Sequence, residues 1–373
     1  MHHASDPVPP RLRLGGRSLS VVGRARIYVC GVTPYDVTHL GHAATFVWVD
    51  AADRLLRRLG VQVEVCRNVT DVDDVLFEAA ARAGAQYDRF AAVQQFHFER
   101  DMDALGVRRP AHEPRAHSFV GQVVELASAL LESDHAYVAD GSVYFRGAHV
   151  PGGHGLLRDE AEKLLAANGG RNDDPAKADV LDQAVWQASG PGEPAWPSPW
   201  GPGRPGWHAE CTAMALSTYG PSLDLHAGGA DLRFPHHAYE AAQAEAATGV
   251  APFARSWLHV GTVRLAGEKM AKSTGNLVFA SDLVARTSGP VVRTLLLDRA
   301  YATPWDYTDD LLQAAGQRLD ALRSAAGRPH GMASAPQAVL EALVDDLDVP
   351  RALDIAVEDG GQAARDLVSV LAL

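Results

Sequence analysis

The chain has 373 residues, a hydrophobic fraction of 47% and a net charge of −12. The acidic charge argues against a protein devoted to holding a nucleic-acid backbone, because neutralising phosphates takes clustered Lys and Arg. No run reaches the roughly 18 apolar residues of a membrane span, the start lacks a signal-peptide core, and three cysteines argue against a disulfide scaffold. We expect two or three domains in a reducing cytoplasm, without membrane contact.

The first half of the chain predicts a parallel sheet. Residues 1–25 contain only short strand-like pieces, and an apolar run closed by Gly31 predicts the first long strand. Residues 43–60 have helical spacing, and residues 61–74 read as the next strand and its loop. Strand, helix and strand form a βαβ unit, so we predict an α/β fold with a parallel sheet. Residues 75–133 are predicted to be mostly helical.

The second half begins with a predicted hairpin that turns at Asp140-Gly141. Residues 146–205 are rich in Gly, Pro, Asp and Asn, and we expect an insertion with irregular loops there. The remaining predicted elements are a helix over 205–220, a strand and Gly-rich turn over 223–234, a helix from Pro235 to residue 249, and a helical region from about residue 285.

Two histidines, His39 and His42, follow the first predicted strand. At a helix N-terminus, unpaired N–H groups and the helix dipole favour anions, so both imidazoles are candidates for holding the triphosphate of ATP. The segment "GEKMAKSTGN" places Lys269 and Lys272 in a Gly-flanked loop that suits closure over phosphates. The alternatives are surface histidines and a solvated basic loop.

Four residues are candidate metal ligands. His236 and Glu240 share a helix face, Cys30 ends the first predicted strand, and Cys211 follows "GWHAE". Two thiolates, an imidazole and a carboxylate or open position suit tetrahedral zinc. The residues form no local C-x-x-C array, so two buried core cysteines remain the alternative.

Two further segments follow predicted strands. The residues "NVTDVDD" (68–74) and "GGAD" (228–231) lie where open α/β sheets bind ligands, at the carboxyl ends of strands. The alternative for both is an ordinary capped turn with solvated aspartates.

Several motifs together resemble a known superfamily. The segments "HLGH" and "KMAKS" are similar to the HIGH and KMSKS signatures of class I aminoacyl-tRNA synthetases. The stretches "YVCG", "RNVTDVDD", "PGWHAEC" and "GGADLRFPHH" resemble cysteinyl-tRNA synthetases. The segment "CGVTPYDVTHLGHAATF" and the tail "VDDLDVPRALDIAVEDG" are more similar to the related cysteine:glucosaminyl-inositol ligases of mycothiol synthesis. The likeness covers nearly the whole chain from about residue 25.

The resemblance implies a class I synthetase-like Rossmann domain with an insertion, followed by a helical domain. The implied parts are an N-terminal arm (1–25), the first Rossmann half (26–120), a connective insertion (121–205), the second Rossmann half with the KMSKS-like loop (206–284) and an α-helical C-terminal domain (285–373). The implied reaction joins cysteine and ATP to cysteinyl-adenylate and pyrophosphate, after which an acceptor attacks the carbonyl and AMP leaves.

The resemblance also assigns residues. Zinc would lie on Cys30, Cys211 and His236, with the substrate thiolate bound to it, and Glu240 is either a fourth ligand or a solvated helix residue. His39 and His42 would stabilise the α-phosphorus, Lys269 and Lys272 would hold pyrophosphate, and Mg²⁺ would accompany ATP. The residues implied around the adenylate are Gly31, Thr33, Thr45, Asn68, Val69, Thr70, Trp207, Gly229, Ala230, Asp231 and Val263.

Three acceptors remain open. Three observations favour an amino sugar over tRNA: the segments "TPYD" and "GHAAT", the chain's end soon after one helical bundle, and the acidic charge. Three features depart from the ligase pattern: Glu240, Ala271 in place of the usual serine, and a short N-terminal arm. They allow a paralogue that loads another amine or a carrier.

A catalytically dead relative is a further alternative. The chain is expected to be a monomer or homodimer.

Overall fold

The protein is described here by a computed structural model of residues 11–35, 38–169, 172–270 and 275–373. Its strands are β1 (Arg13–Leu14), β2 (Arg17–Ser18), β3 (Arg24–Val32), β4 (Gln62–Val69), β5 (Ala136–Ala139), β6 (Ser142–Phe145), β7 (Gln183–Ala188), β8 (Gly203–Pro205), β9 (Leu225–Gly229), β10 (Trp257–Val260), β11 (Val263–Leu265), β12 (Glu268–Lys269) and β13 (Trp305–Asp306).

The α-helices follow the same chain order. They are α1 (Leu40–Arg58), α2 (Asp74–Arg82), α3 (Tyr87–Ala104), α4 (Val120–Glu132), α5 (Val150–Gly153), α6 (Arg158–Ala167), α7 (Trp207–Tyr219), α8 (Ala238–Thr248), α9 (Ala280–Arg286), α10 (Gly289–Leu297), α11 (Asp309–Ala326), α12 (Ala335–Val344), α13 (Val349–Asp359) and α14 (Gly361–Leu371). None of the helices in these described ranges is both long and apolar enough to cross a membrane.

The central sheet is parallel throughout, with the strand order β10-β9-β3-β4. Helix α1 makes the crossover from β3 to β4, and its side chains are buried along most of its length. Strands buried on both faces read as continuous apolar runs, which is why the sequence of β3 carries a clear signal. The predicted α/β fold and its βαβ unit are therefore confirmed, and the helix begins at Leu40, three residues before the start that we predicted.

The insertion is more regular than the sequence indicates. The hairpin β5–β6 is confirmed, with its turn at Asp140-Gly141, and it is extended by β7 and β8 into a four-stranded antiparallel sheet. The expectation of irregular loops over residues 146–205 is therefore wrong for β7, β8 and α6. Val185 and Trp186 are buried in a separate hydrophobic core. This packing stabilises strands in a segment whose overall composition reflects mainly its connecting turns.

The helix predicted from Pro235 is confirmed. In the helical turn over Arg233–His237 only Phe234 has non-helical backbone angles (φ −143°, ψ 132°), and Phe234 precedes Pro235. Helix α8 begins at Ala238, directly after this turn. The turn places both His236 and His237 in the interior, where each is almost completely buried.

The C-terminal region is helical, as predicted, and one hydrophobic core joins its helices to α1 and β3. Arg293 on α10 connects these parts because its guanidinium is buried. It pairs with Asp50 on α1 at 2.7 Å and donates to the carbonyl oxygens of Leu371 at 2.9 Å and Leu105 at 3.1 Å. The contacts of the Arg293 guanidinium therefore connect the helical region to α1 and the first half of the chain, in addition to the shared hydrophobic core.

Replacing this cation should destabilise the protein. In the described residues, Arg293→Met leaves the buried Asp50 with Arg54 and the Arg108 amide as partners, and removal of one member of a buried pair costs about 3 kcal/mol or more. We expect chemical denaturation to show a free energy of unfolding lower by about this amount. Arg286→Met is the matched control, because the Arg286–Asp309 pair is exposed and such pairs contribute about 1 kcal/mol or less. Equal losses in both variants would contradict the assignment.

Candidate active site

A cleft of about 780 Å³ opens at the carboxyl ends of β3, β4 and β9. It is the position at which open parallel sheets bind ligands. The predicted site residues that line it are Cys30, Gly31, Thr33, His39, His42, Thr45, Asn68, Thr70, Trp207, Cys211, Gly229, Asp231, His236, Val263 and Lys269. Val69, Ala230 and Glu240 do not line the cleft, and Lys272 lies outside the described residues. Residues from both halves of the chain thus converge on one cavity.

One wall of the cleft carries a group of four possible metal ligands. The ligand atoms of Cys30, Cys211, His236 and Glu240 all lie within 4.8 Å of one another, and all four residues are buried. Cys30 comes from β3, Cys211 from α7, and His236 and Glu240 from the turn and helix after β9. The two cysteines belong to a buried hydrophobic cluster, and a carboxylate and an imidazole face them there.

Glu240 is completely buried, so it is not a solvated helix residue. One carboxylate oxygen is 2.7 Å from His236 Nε2 and accepts a hydrogen bond from the Cys30 thiol at 3.2 Å. The other oxygen is 2.7 Å from Nε2 of His226, which is also completely buried on β9. The carboxylate is thus oriented by hydrogen-bonding groups on both sides. The oxygen that contacts His236 and the Cys30 thiol is the one that faces the cysteines.

The four groups shift one another's pKa values, and burial raises the pKa of the Cys30 thiol well above its usual value. The hydrogen bond from the Cys30 thiol is the main cause that lowers the pKa of Cys211 to about 6, although burial opposes it. Burial disfavours a charged His236, but the Glu240 carboxylate and the Cys211 sulfur outweigh it and raise the pKa of His236 to about 10. Two sulfurs, one imidazole and one carboxylate in a buried tetrad fit a tetrahedral Zn²⁺ ion or a similar soft cation.

His236 is held in place by aromatic neighbours. Its Nδ1 lies 2.9 Å from Nδ1 of His208, and its ring stacks on Trp207 with centroids 4.1 Å apart. Burial, followed by the nearby charge of His236, lowers the pKa of His208 well below its usual value, so neutral His208 accepts the proton of His236 Nδ1. This leaves His236 Nε2 directed at the thiol and carboxylate group, which is the orientation that a ligating histidine needs.

Sequence reasoning missed His208 and His226. The signal of His226 is weak but present, since it is a polar residue in an otherwise apolar, buried strand, whereas His208 lies in a helix that holds other polar residues. A buried histidine of this kind needs a hydrogen-bond partner, and here the partners are His236 and Glu240.

Gly31 and Asn68 join the metal-ligand group to the rest of the cleft. A Cβ atom on Gly31 would lie 1.7 Å from the Asn68 carbonyl oxygen, so only glycine fits between β3 and β4 at this point. The Asn68 side chain accepts from the Gly31 amide at 2.8 Å and donates to Thr70 Oγ1 at 3.1 Å and to Cys211 Sγ at 3.3 Å. Asn68 therefore orients one of the two thiols.

The histidine pair begins helix α1. His39 is the N-cap residue, and its Nδ1 accepts from the amides of Gly41 at 3.1 Å and His42 at 3.4 Å. The proton of a neutral His39 is therefore on Nε2. The two rings stack with centroids 3.8 Å apart, and desolvation lowers the pKa of His42 although its side chain is exposed to the open cleft. Both rings thus lie at a helix N-terminus.

The lysine-containing segment is anchored beside these histidines. Lys269 Nζ lies 2.6 Å from a carboxylate oxygen of Asp231, and the chain after the loop returns next to α1. There the Leu40 amide donates to the Val278 carbonyl at 2.8 Å, and the Ala280 amide donates to the Thr38 carbonyl at 3.1 Å. Lys269 is accordingly held on the same side of the cleft as His39.

Comparison with known proteins gives a consistent result. Residues 18–317 match the family model of the catalytic domain of class I (C) tRNA synthetases. The chain is 45% identical over 344 residues to the L-cysteine:1D-myo-inositol 2-amino-2-deoxy-alpha-D-glucopyranoside ligase of Rhodococcus jostii, covering 88% of this chain and 82% of that protein. The protein of the same name from Mycobacterium ulcerans is 44% identical over 378 residues, with coverage of 96% and 92%.

Solved structures support the fold. A Mycobacterium tuberculosis methionyl-tRNA synthetase in complex with methionyl-adenylate superimposes with a TM-score of 0.61 and 18% identity, covering 94% of this chain and 82% of that one. A putative arginyl-tRNA synthetase from Campylobacter jejuni gives a TM-score of 0.59 at 13% identity, with coverage of 94% and 85%.

The ligand group predicts a metal content. We expect elemental analysis of the purified protein to find about one divalent metal ion per chain, and Cys211→Ser to lose most of it because a thiolate ligand is removed. Cys66→Ser is the matched control, since Cys66 is equally buried but lies outside the group. A metal-free wild-type protein, or equal loss in both variants, would contradict the assignment.

Proposed function

The chain belongs to the family of L-cysteine:1D-myo-inositol 2-amino-2-deoxy-alpha-D-glucopyranoside ligases within the class I (C) tRNA synthetases, and from that premise we propose that it activates L-cysteine with ATP and transfers the cysteinyl group to an amino sugar. The acceptor would be the amine of a glucosaminyl-inositol, and the product an amide. Cysteinyl-adenylate and pyrophosphate would form first, and AMP would leave in the second step.

The observation that carries this proposal is the position of the Cys30, Cys211 and His236 group in the wall of the nucleotide cleft. Serine differs from cysteine by one atom, and apolar contacts separate such isosteres poorly. We assign zinc to this group because of its two thiols and buried imidazole. When bound there, Zn²⁺ supplies a soft Lewis acid that prefers a thiolate to a hydroxyl.

The other residues would orient the substrates. Trp207 packs on His236 and lines the cleft, so it would limit the space beside the cysteine side chain. His39 and His42 would donate N–H groups to the phosphate oxygens that gain charge during adenylyl transfer. Lys269 would move from Asp231 to the departing pyrophosphate, and we extend that role to Lys272. Gly229 and Asp231 line the cleft where the adenosine would bind.

One observation supports a second kind of acceptor. Glu240 lies within the ligand group, although the ligases that this sequence resembles typically lack a carboxylate there. This favours a paralogue that loads cysteine onto another amine or a carrier. A transfer RNA acceptor is disfavoured by the net charge of −12. The proposal also places the enzyme in the cytoplasm, in keeping with the free state of Cys30, Cys66 and Cys211.

The lysine role can be tested in the first half-reaction. Cysteine-dependent ATP–pyrophosphate exchange should lose about 100-fold in kcat in Lys269→Met, because one charge that stabilises the transferring phosphates is removed. The Michaelis constant for cysteine should change little, since the lysine faces the nucleotide. Lys163→Met, on the exposed face of α6, is the matched control and should behave as the wild type. A wild-type exchange rate in Lys269→Met would overturn the role.

The acceptor is identified by competition. The wild-type protein is incubated with ATP and radiolabelled cysteine in the presence of both glucosaminyl-inositol and tRNA. We expect label in the pseudodisaccharide and none in tRNA. Label in tRNA alone would contradict the proposed acceptor, and exchange activity without label in either acceptor would favour the paralogue.

A further inference from the structure

A second cavity of about 230 Å³, which we call the α1 cavity, lies between helix α1 and strands β3 and β4. Phe46 on α1 lines both this cavity and the cleft. Neighbouring residues of the two strands line different spaces, since Cys30 and Asn68 line the cleft, whereas Val29 and Arg67 line the α1 cavity. Successive side chains of a strand point to opposite faces of the sheet, so the two spaces are separate.

One part of the wall of the α1 cavity is apolar. Val29, Phe46, Val49 and Val65 belong to it, and residues 107–111 close one side of the cavity. Such a wall favours a ligand with a hydrocarbon body, because burying apolar surface is favourable. Apolar cavities of about 150 Å³ are large enough to bind benzene, so the α1 cavity has room for one ring and a small polar group.

Arg67 brings an unpaired donor to this wall. Its side chain is 3% exposed, and its Nε has no hydrogen-bond partner among the described residues. Its Nη2 contacts the carboxylates of Glu99 and Glu113, which do not line the cavity. The guanidinium is held over the rings of Phe98 and Phe46, 4.8 and 5.8 Å from their centroids. Because buried polar groups are normally paired, the Nε–H group indicates that an acceptor belongs beside it.

The other charged residues of the lining favour a negative ligand. Four arginines line the cavity against two aspartates. Asp50 is paired with Arg54 and Asp53 with Arg57, each at 2.7 Å. Arg108 differs, because the only carboxylate within 4.0 Å of its guanidinium in the described ranges is that of Asp53, at 4.0 Å, and its side chain is 46% exposed. Arg108 thus offers a second cation where the cavity meets solvent.

We propose that the α1 cavity binds a small carboxylate with an apolar body, such as an aromatic or branched aliphatic acid. The carboxylate accepts from Arg67 Nε and faces the entrance that Arg108 lines, and the hydrocarbon part covers Val49 and Val65. A planar carboxylate matches the edge of a guanidinium, whereas inorganic phosphate leaves the apolar wall uncovered. The site is separate from the cleft and does not rest on the proposed function.

Benzoate is the probe for this site, and two related compounds separate its contributions. Benzamide has the same shape without the charge, and acetate has the charge without the ring. Dissociation constants are measured by ligand-observed NMR titration of the wild-type protein. We expect benzoate to bind about 10-fold or more tightly than either compound, because each lacks a charged hydrogen bond or the burial of a ring. Absence of benzoate binding, or equal binding of benzamide, would overturn the site.

The donor is tested by Arg67→Lys, which removes the Nε–H group and keeps a positive charge beside Glu99 and Glu113. We expect benzoate to bind roughly 10- to 100-fold more weakly, as for loss of a charged hydrogen bond. Arg108→Gln should weaken it roughly 3-fold, because this side chain is exposed. Arg100→Gln is the matched control and should bind as the wild type, since Arg100 is also exposed and 4.0 Å from a carboxylate but does not line the cavity.

Two further variants locate the bound probe. Val65→Phe fills the α1 cavity and should abolish benzoate binding, which decides the question if circular dichroism shows that Arg67→Lys does not fold. Lys269→Met removes a cation of the cleft and should leave benzoate binding unchanged. Wild-type affinity in Val65→Phe or in a folded Arg67→Lys contradicts the proposal, and so does a loss of benzoate binding in Lys269→Met.

Discussion

The candidate site depends on one buried carboxylate. Glu240 makes hydrogen bonds to His226 on β9, to His236 in the turn before α8 and to Cys30 on β3, so it ties three parts of the chain at one point. A carboxylate in the interior is tolerated only when it is paired, and this pairing fixes the relative positions of the sulfur and nitrogen ligands. The parallel sheet places Cys30 in the wall of the cleft, beside Cys211 and His236.

The site is built by close backbone approach as much as by side chains. Because Gly31 allows β3 to lie directly against the Asn68 carbonyl, the Asn68 amide reaches Cys211 and the thiol group comes next to the nucleotide cleft. The same strand leads into His39, whose ring caps the helix that follows. In the proposed function, one short segment would contribute to both amino-acid selection and phosphate binding, which have to be adjacent in any enzyme that activates an amino acid with ATP.

The sequence predicted the parallel βαβ unit, the hairpin and the C-terminal helices, because each has a strong hydrophobic period or turn signal. It also identified the family and the four members of the ligand group. It did not predict β7 and β8, because their pairing depends on packing against residues that are distant in the sequence. It also did not predict His208 and His226, whose partners are set by tertiary contacts. The roles of all the predicted site residues in holding metal and nucleotide stay predictions, and Val69, Ala230 and Lys272 are in addition not among the residues seen to line the cleft.

The central claim is that this protein recognises cysteine through its sulfur atom at a metal held by Cys30, Cys211 and His236. X-ray absorption spectroscopy of the purified enzyme, with and without saturating cysteine, tests it most directly. We predict two sulfur neighbours at about 2.3 Å from zinc in the free enzyme and three after cysteine is added, with no change on addition of serine. A sulfur shell that stays at two in the presence of cysteine would contradict the account.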